Sequence, residues 1–140
     1  MNNLKEKKLN NKGFSLVELI IVIAIMAVLI GVLAPQYLRY VEKSRYQTDA
    51  TMIDNVKNAI EIAISSSEDV YTTMVDTTIT FSNTALTTVG WTELDAEVQK
   101  TLDLSDTKLT SKTLTASGAT AEIKITAATG DVDVNLTPAP

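Results

Sequence analysis

Sixteen consecutive residues from Leu19 to Ala34 carry neither a charge nor a hydrogen-bonding side chain, and extending the run back to Phe14 adds only Ser15 and Glu18 as polar positions. At ~1.5 Å per helical residue the run from Phe14 measures about 30 Å, the thickness of a bilayer's hydrocarbon layer. The pattern predicts a membrane-spanning helix. From Leu38 onward the apolar residues thin out to Leu38, Val41, Ile53, Val56, Ile60 and Ile64, near the 3.6-residue period, with Asp49, Asp54, Lys57, Asn58 and Glu61 at the other positions. The helix therefore continues, now amphipathic, until Ser65-Ser66-Ser67 ends the pattern. Lys57 and Glu61 are spaced for an i,i+4 pair on a solvated face, worth a few tenths of a kcal/mol. A rod from Phe14 to Ile64 runs about 75 Å, too long for a chain of 140 residues to bury alone. Its first half needs lipid or further copies of itself, and its second half needs a covering domain.

That domain is expected in residues 65–140, a stretch rich in threonine, which favours strands and a polar exterior. A loop and strand region, Val70 to Phe81, leads to a short helix from Thr92 to Leu102, with Thr92 as N-cap, Glu93 and Asp95 in the first turn, and Leu94 and Val98 facing inward. Three alternating runs follow, Lys108 to Ala116, Ala119 to Ala127 and Val132 to Leu136, with turns at Ser117-Gly118 and Thr129-Gly130-Asp131. These predict an antiparallel meander whose apolar face lies on the stripe Ile53, Val56, Ile60 and Ile64. The fold class is α+β, a long N-terminal helical spine with a small C-terminal antiparallel β-sheet head.

Composition narrows the chemistry. Cys and His are both absent, which removes disulfides, thiolate metal sites and Cys or His nucleophiles. The net charge of −5 argues against a general nucleic-acid binder, and it hides a division: Lys5, Lys7, Lys8 and Lys12 face Glu6 alone before Gly13, and the remainder is acidic. Asp103, Asp106, Asp131 and Asp133 have no calcium-loop spacing and read as solvated turn and strand residues. No metal, cofactor or catalytic constellation is expected. Trp91, after Gly90, reads as the anchor of a small core ahead of a surface aromatic.

Three readings compete for the basic leader and apolar run. A secretory signal peptide would be cut after Val32-Leu33-Ala34, but Glu18 interrupts its apolar region and Pro35 would follow the cut. A permanent anchor gains little from the positive-inside rule, since the lysines before the span face Arg39, Lys43 and Arg45 after it. The third reading explains Glu18. The junction Lys12-Gly13-Phe14-Ser15-Leu16-Val17-Glu18 resembles the processing site of class III signal peptides in type IV prepilins. The resemblance implies that a prepilin peptidase cuts between Gly13 and Phe14 and methylates the new Phe14 amine.

The same resemblance divides the chain into a leader (1–13) removed on processing, a hydrophobic transmembrane or filament-core helix (14–35), an amphipathic helix packing on the head (36–64) and a globular head (65–140), the architecture of a lollipop. Glu18 in an apolar setting costs several kcal/mol unless paired. The Phe14 α-ammonium of a neighbouring copy is the partner the resemblance implies; snorkelling to the headgroups at the helix start is the plainer alternative. Gly31 and Pro35 concentrate helix weakness in one turn, either to let packed helices bend and stretch or as an ordinary kink at a membrane exit. Tyr37, Tyr40 and Tyr46 read as an interfacial belt, and the resemblance adds subunit packing for Tyr37 and Tyr40. It further implies a structural subunit and not an enzyme, held in the cytoplasmic membrane and then polymerised with identical subunits, by an assembly platform and its ATPase machinery, into an extracellular pilus for adhesion, motility or biofilm formation. Many Gram-negative pilins close the C-terminal loop with a disulfide; this chain has no cysteine, which suits a Gram-positive anaerobe and leaves Leu136 to Pro140 to strand pairing. A pseudopilin of a type II secretion or DNA-uptake system shares the N-terminal motif, and a membrane-tethered binding module is the remaining alternative.

Overall fold

The structure, a computed structural model, describes residues 13–138 and divides the chain into two compact units, Met1–Leu38 and Arg39–Pro140. Of the leader expected at residues 1–13, all but Gly13 lies outside the described residues. The elements in chain order are α1 (Leu16–Ser66), α2 (Glu68–Thr72), β1 (Thr77–Thr80), α3 (Thr92–Thr101), a 3-10 turn (Leu104–Asp106), α4 (Lys112–Thr115), β2 (Thr120–Thr126) and β3 (Asp131–Thr137). The α+β class expected from the sequence is what is observed.

Among the described residues of the first unit the regular element is the beginning of α1, which is 51 residues long in all. It is long and apolar enough to cross a membrane, and none of its most apolar window is buried. Pro35 sits inside the helix. Lacking an N–H, it cannot bond the Gly31 carbonyl one turn earlier.

The second unit holds the core. Its sheet has the order β1-β2-β3, antiparallel throughout, with Ile79 opposite Ile123 and Ile123 opposite Val134. β1 and β3 are therefore the edges, and β3 shows Asp131 and Asp133 to solvent with Val132 buried between them. Ile123 and Ile125 from β2 are fully buried in one cluster with Ile53, Val56 and Ile60 of α1. The predicted stripe is thus the helix's buried face, completed by Ala59 and Ala63, while Ile64 is half-buried and Leu38 is exposed. Lys57 and Glu61 form the expected surface pair, at 3.4 Å. At the β2–β3 turn Gly130 has φ +73° and donates to the Thr126 carbonyl at 2.8 Å, a backbone conformation that favours glycine. Trp91 packs against the core.

Several expectations need correction. Tyr46 is buried in the core instead of standing in an aromatic belt, and Asp49 is buried on the helix's inner face. α3 begins as placed and buries Leu94 and Val98, but Trp91 and not Thr92 is its N-cap, with no side-chain cap; the Asp95 carboxylate instead accepts the Val89 N–H. The largest difference concerns Lys108 to Ala116, which is no strand. Thr107, Leu109 and Ser111 do alternate inward, but alternation sets only which side chains face the core, and here the backbone amides find carboxylates and a cap in place of a neighbouring strand. The third strand is β1, inside the earlier Val70–Phe81 region.

The burial pattern yields a stability test. Ile60→Ala should lower the unfolding free energy of the second unit by about 2–5 kcal/mol, the cost of a core cavity, whereas Ile62→Ala, at an exposed position two residues on, should change it by less than about 0.5 kcal/mol. Chemical denaturation of the full chain in detergent, followed by Trp91 fluorescence, measures both.

Candidate assembly segment and a carboxylate clasp

The start of α1 shows how Ser15 and Glu18 work together. A helix leaves its first backbone N–H groups without intrahelical acceptors, and the sequence Ser-Leu-Val-Glu supplies replacements from both ends. The Ser15 Oγ accepts the Val17 N–H at 3.3 Å, and Glu18 reaches back so that its Oε2 accepts the Ser15 N–H at 2.9 Å. The Glu18 half is that of a capping box, while the Ser15 hydroxyl caps the second helical N–H in place of the third. The S-x-x-E signal stood in the sequence, and it gives Glu18 a partner that the reasoning from membrane burial overlooked. Oε1 accepts no hydrogen bond among the described residues. Phe14 and Leu19 occupy the flanking positions where a hydrophobic staple forms, and with Glu18, Ile21 and Val22 they line an open apolar recess.

The other sequence-predicted positions are separate points on exposed helix. Phe14 is 93% exposed. Among the described residues a Cβ at Gly13 or at Gly31 would meet nothing within 4 Å, so no contact among them requires glycine at either. Tyr37 and Tyr40 are both exposed, each within its own unit.

The second unit contains a polar constellation that sequence reasoning missed. Asp49 is buried on α1, and its two oxygens accept the Thr110 N–H at 3.0 Å, the Thr110 hydroxyl at 2.9 Å and the Ser111 N–H at 2.7 Å. Two turns earlier the half-buried Glu42 accepts through Oε1 from the Ser111 hydroxyl at 2.8 Å, the Thr113 N–H at 2.8 Å and the Thr113 hydroxyl at 3.0 Å. Ser111 in turn caps α4 by accepting from Thr113 and Leu114. Burial pushes the Glu42 carboxyl up, but the hydrogen bonds from Thr113, Ser111 and the Lys112 backbone outweigh it and hold the group below the usual carboxylate range. A buried carboxylate is tolerable only when so supplied with donors. The signal was a pair of acids at i and i+7, a spacing that returns to one helix face, with the second sitting among the apolar positions.

Residues 8–34 match the family described as the prokaryotic N-terminal methylation motif. The chain is also similar to a fimbrial protein of Pseudomonas aeruginosa, 27% identical over 100 residues that make up 69% of this chain and 61% of that protein. The chain thus spans less than two thirds of that relative's length. No solved structure matches at the same stringency. Both positive findings support the resemblance to a type IV pilin.

The capping box predicts a local effect. Ser15→Ala should cost the first turn about 1 kcal/mol, raising amide exchange at Val17 about fivefold while leaving α1 beyond Ile21 unchanged. Hydrogen exchange of the full chain in detergent micelles reads both regions.

Proposed function

We propose that the chain is a structural subunit of a type IV pilus, and not an enzyme. The observation that carries this reading is the methylation motif at residues 8–34 running directly into an exposed apolar helix of membrane-spanning length. In this reading residues 1–13 are a leader removed by a prepilin peptidase, 14–35 a membrane anchor that becomes filament core, 36–64 the amphipathic helix on which the head packs, and 65–140 the head. Gly13 serves the peptidase: nothing among the described residues crowds it, and a residue without a Cβ admits close backbone approach.

Processing exposes the Phe14 ammonium, and methylation leaves it cationic. Glu18 keeps its capping bond through Oε2 and offers Oε1 to the Phe14 ammonium of a neighbouring copy, which offsets the cost of moving a carboxylate into an apolar bundle. Gly31 and Pro35 give the packed helix a turn that yields, and Tyr37 and Tyr40 supply aromatic surface for subunit contacts. The subunit waits in the cytoplasmic membrane and is polymerised by an assembly platform and its ATPase machinery into a surface filament that serves adhesion, motility or biofilm formation.

Two variants test the reading. Gly13→Leu should block processing, so that mass spectrometry finds the leader still attached, whereas the unmodified chain should begin at methyl-Phe14. Glu18→Ala should be processed and stored in the membrane but yield at least about tenfold fewer filaments, the equivalent of losing one charge-assisted contact. Normal filament yield from the Glu18 variant would overturn its assembly role, and surface filaments of unprocessed chains would overturn the whole reading.

A further inference from the structure

The clasp of Asp49 and Glu42 is used by neither processing nor polymerisation, and its chemistry is one-sided. Each of its hydrogen bonds runs from a backbone N–H or a hydroxyl on residues 110–113 to a carboxylate oxygen of α1. An ionised carboxyl accepts only; a protonated one must also place an O–H. A proton on Glu42 would face the Thr113 N–H, which can only donate, and the Ser111 and Thr113 hydroxyls, which would have to turn from donating to accepting, and the charge assistance that makes such bonds about twice as strong as neutral ones would be gone.

We propose that residues 110–115 form an acid-released strap, latched to α1 by the Glu42 carboxylate through Ser111 and Thr113, that lets go when Glu42 is protonated while the sheet stays folded. The ionisable groups on the elements that meet there are Arg39, Lys43, Arg45 and Tyr46 on α1, Lys108 and Lys112 on the strap and its approach, and Glu122 and Lys124 on β2 beside α4. Among the described residues none of them forms an ion pair with Glu42 or Asp49. Among the described residues, every direct hydrogen bond to the two carboxylates comes from a neutral donor.

The strap's other fastenings lie at its ends, where the Leu109 N–H donates to the Ser82 carbonyl at 2.8 Å and the Ala119 N–H to the Ala116 carbonyl at 3.0 Å. Between them Leu114 is the apolar side chain that joins the core cluster, and Ser111 is buried beside it. The core of the sheet contains no carboxylate, so acid acts on the strap first. Because the Glu42 carboxyl is held below its usual range, the latch is fully present above about pH 4.3 and is lost as the pH falls through the folded value beneath it. Tyr46 lies between Glu42 and Asp49 on the same helix face and is 8% exposed.

Hydrogen–deuterium exchange of the full chain in detergent micelles, corrected for the pH dependence of chemical exchange, tests this. Between pH 7 and pH 3 peptides covering 110–115 should lose protection by about tenfold or more, as expected for losing a charge-assisted bond, while peptides covering Thr120–Thr126 keep theirs. Glu42→Gln should show part of this loss already at pH 7. Unchanged protection of the strap at pH 3, or loss of strap and β2 together, overturns the proposal, and the unmodified chain decides it even where the variant does not fold. Neither result depends on whether the chain forms filaments.

Discussion

Everything in this molecule follows from the demand that one helix places on its surroundings. From Leu16 to Tyr40 α1 turns apolar side chains outward in every direction, and a helix that is hydrophobic all round is stable only in lipid or among other helices. From Tyr46 to Ala63 the same helix has a single buried face, narrow enough for three short strands to cover. A three-stranded sheet has too little core to stand alone; with Ile53, Val56 and Ile60 against Ile123 and Ile125 it has one. The sheet completes the helix's second half, and the residues of the first half, from Leu16 to Tyr40, are exposed.

The acidic surplus has a structural use. Carboxylates here satisfy backbone amides far more than they neutralise cations: Glu18 takes the Ser15 N–H, Asp49 takes Thr110 and Ser111, Glu42 takes Thr113, Asp76 takes Ala127 and Asp103 takes Ser105. Each ties an irregular stretch or a helix start to something fixed, which matters in a chain with no cysteine to cross-link it. The ion pairs, by contrast, are surface contacts of neighbouring turns, Lys57 with Glu61 and Lys100 with Glu97, where solvent screening leaves little net gain.

Sequence reasoning read what is periodic and missed what is not. The long helix, its change of character near Leu38, the inward residues Leu94 and Val98 and the last two strands all follow from spacing that a single element imposes on itself. β1 and the stretch from Thr107 to Thr115 depend on partners distant in the chain. Thr77–Thr80 is a strand because Thr120–Thr126 lies beside it, and Ser111 ends an extended run because Glu42, 69 residues away, takes its hydroxyl. The same division holds for the candidate assembly segment. Gly13, Phe14 and Glu18 stand out from local context, yet the bond that positions Glu18 was legible only to a reader looking for a cap three residues upstream.

Wherever many copies of such a sheet are brought close together, its exposed edges become a hazard, since unpaired N–H and C=O groups invite a foreign strand. β1 is only four residues long. β3 is seven, and the acids at Asp131 and Asp133 alternate along it. Two such rims meeting parallel and in register would set Asp131 on Asp131 and Asp133 on Asp133 and repel, which works against zipping into an amyloid-like ribbon without any covering element being added to the fold.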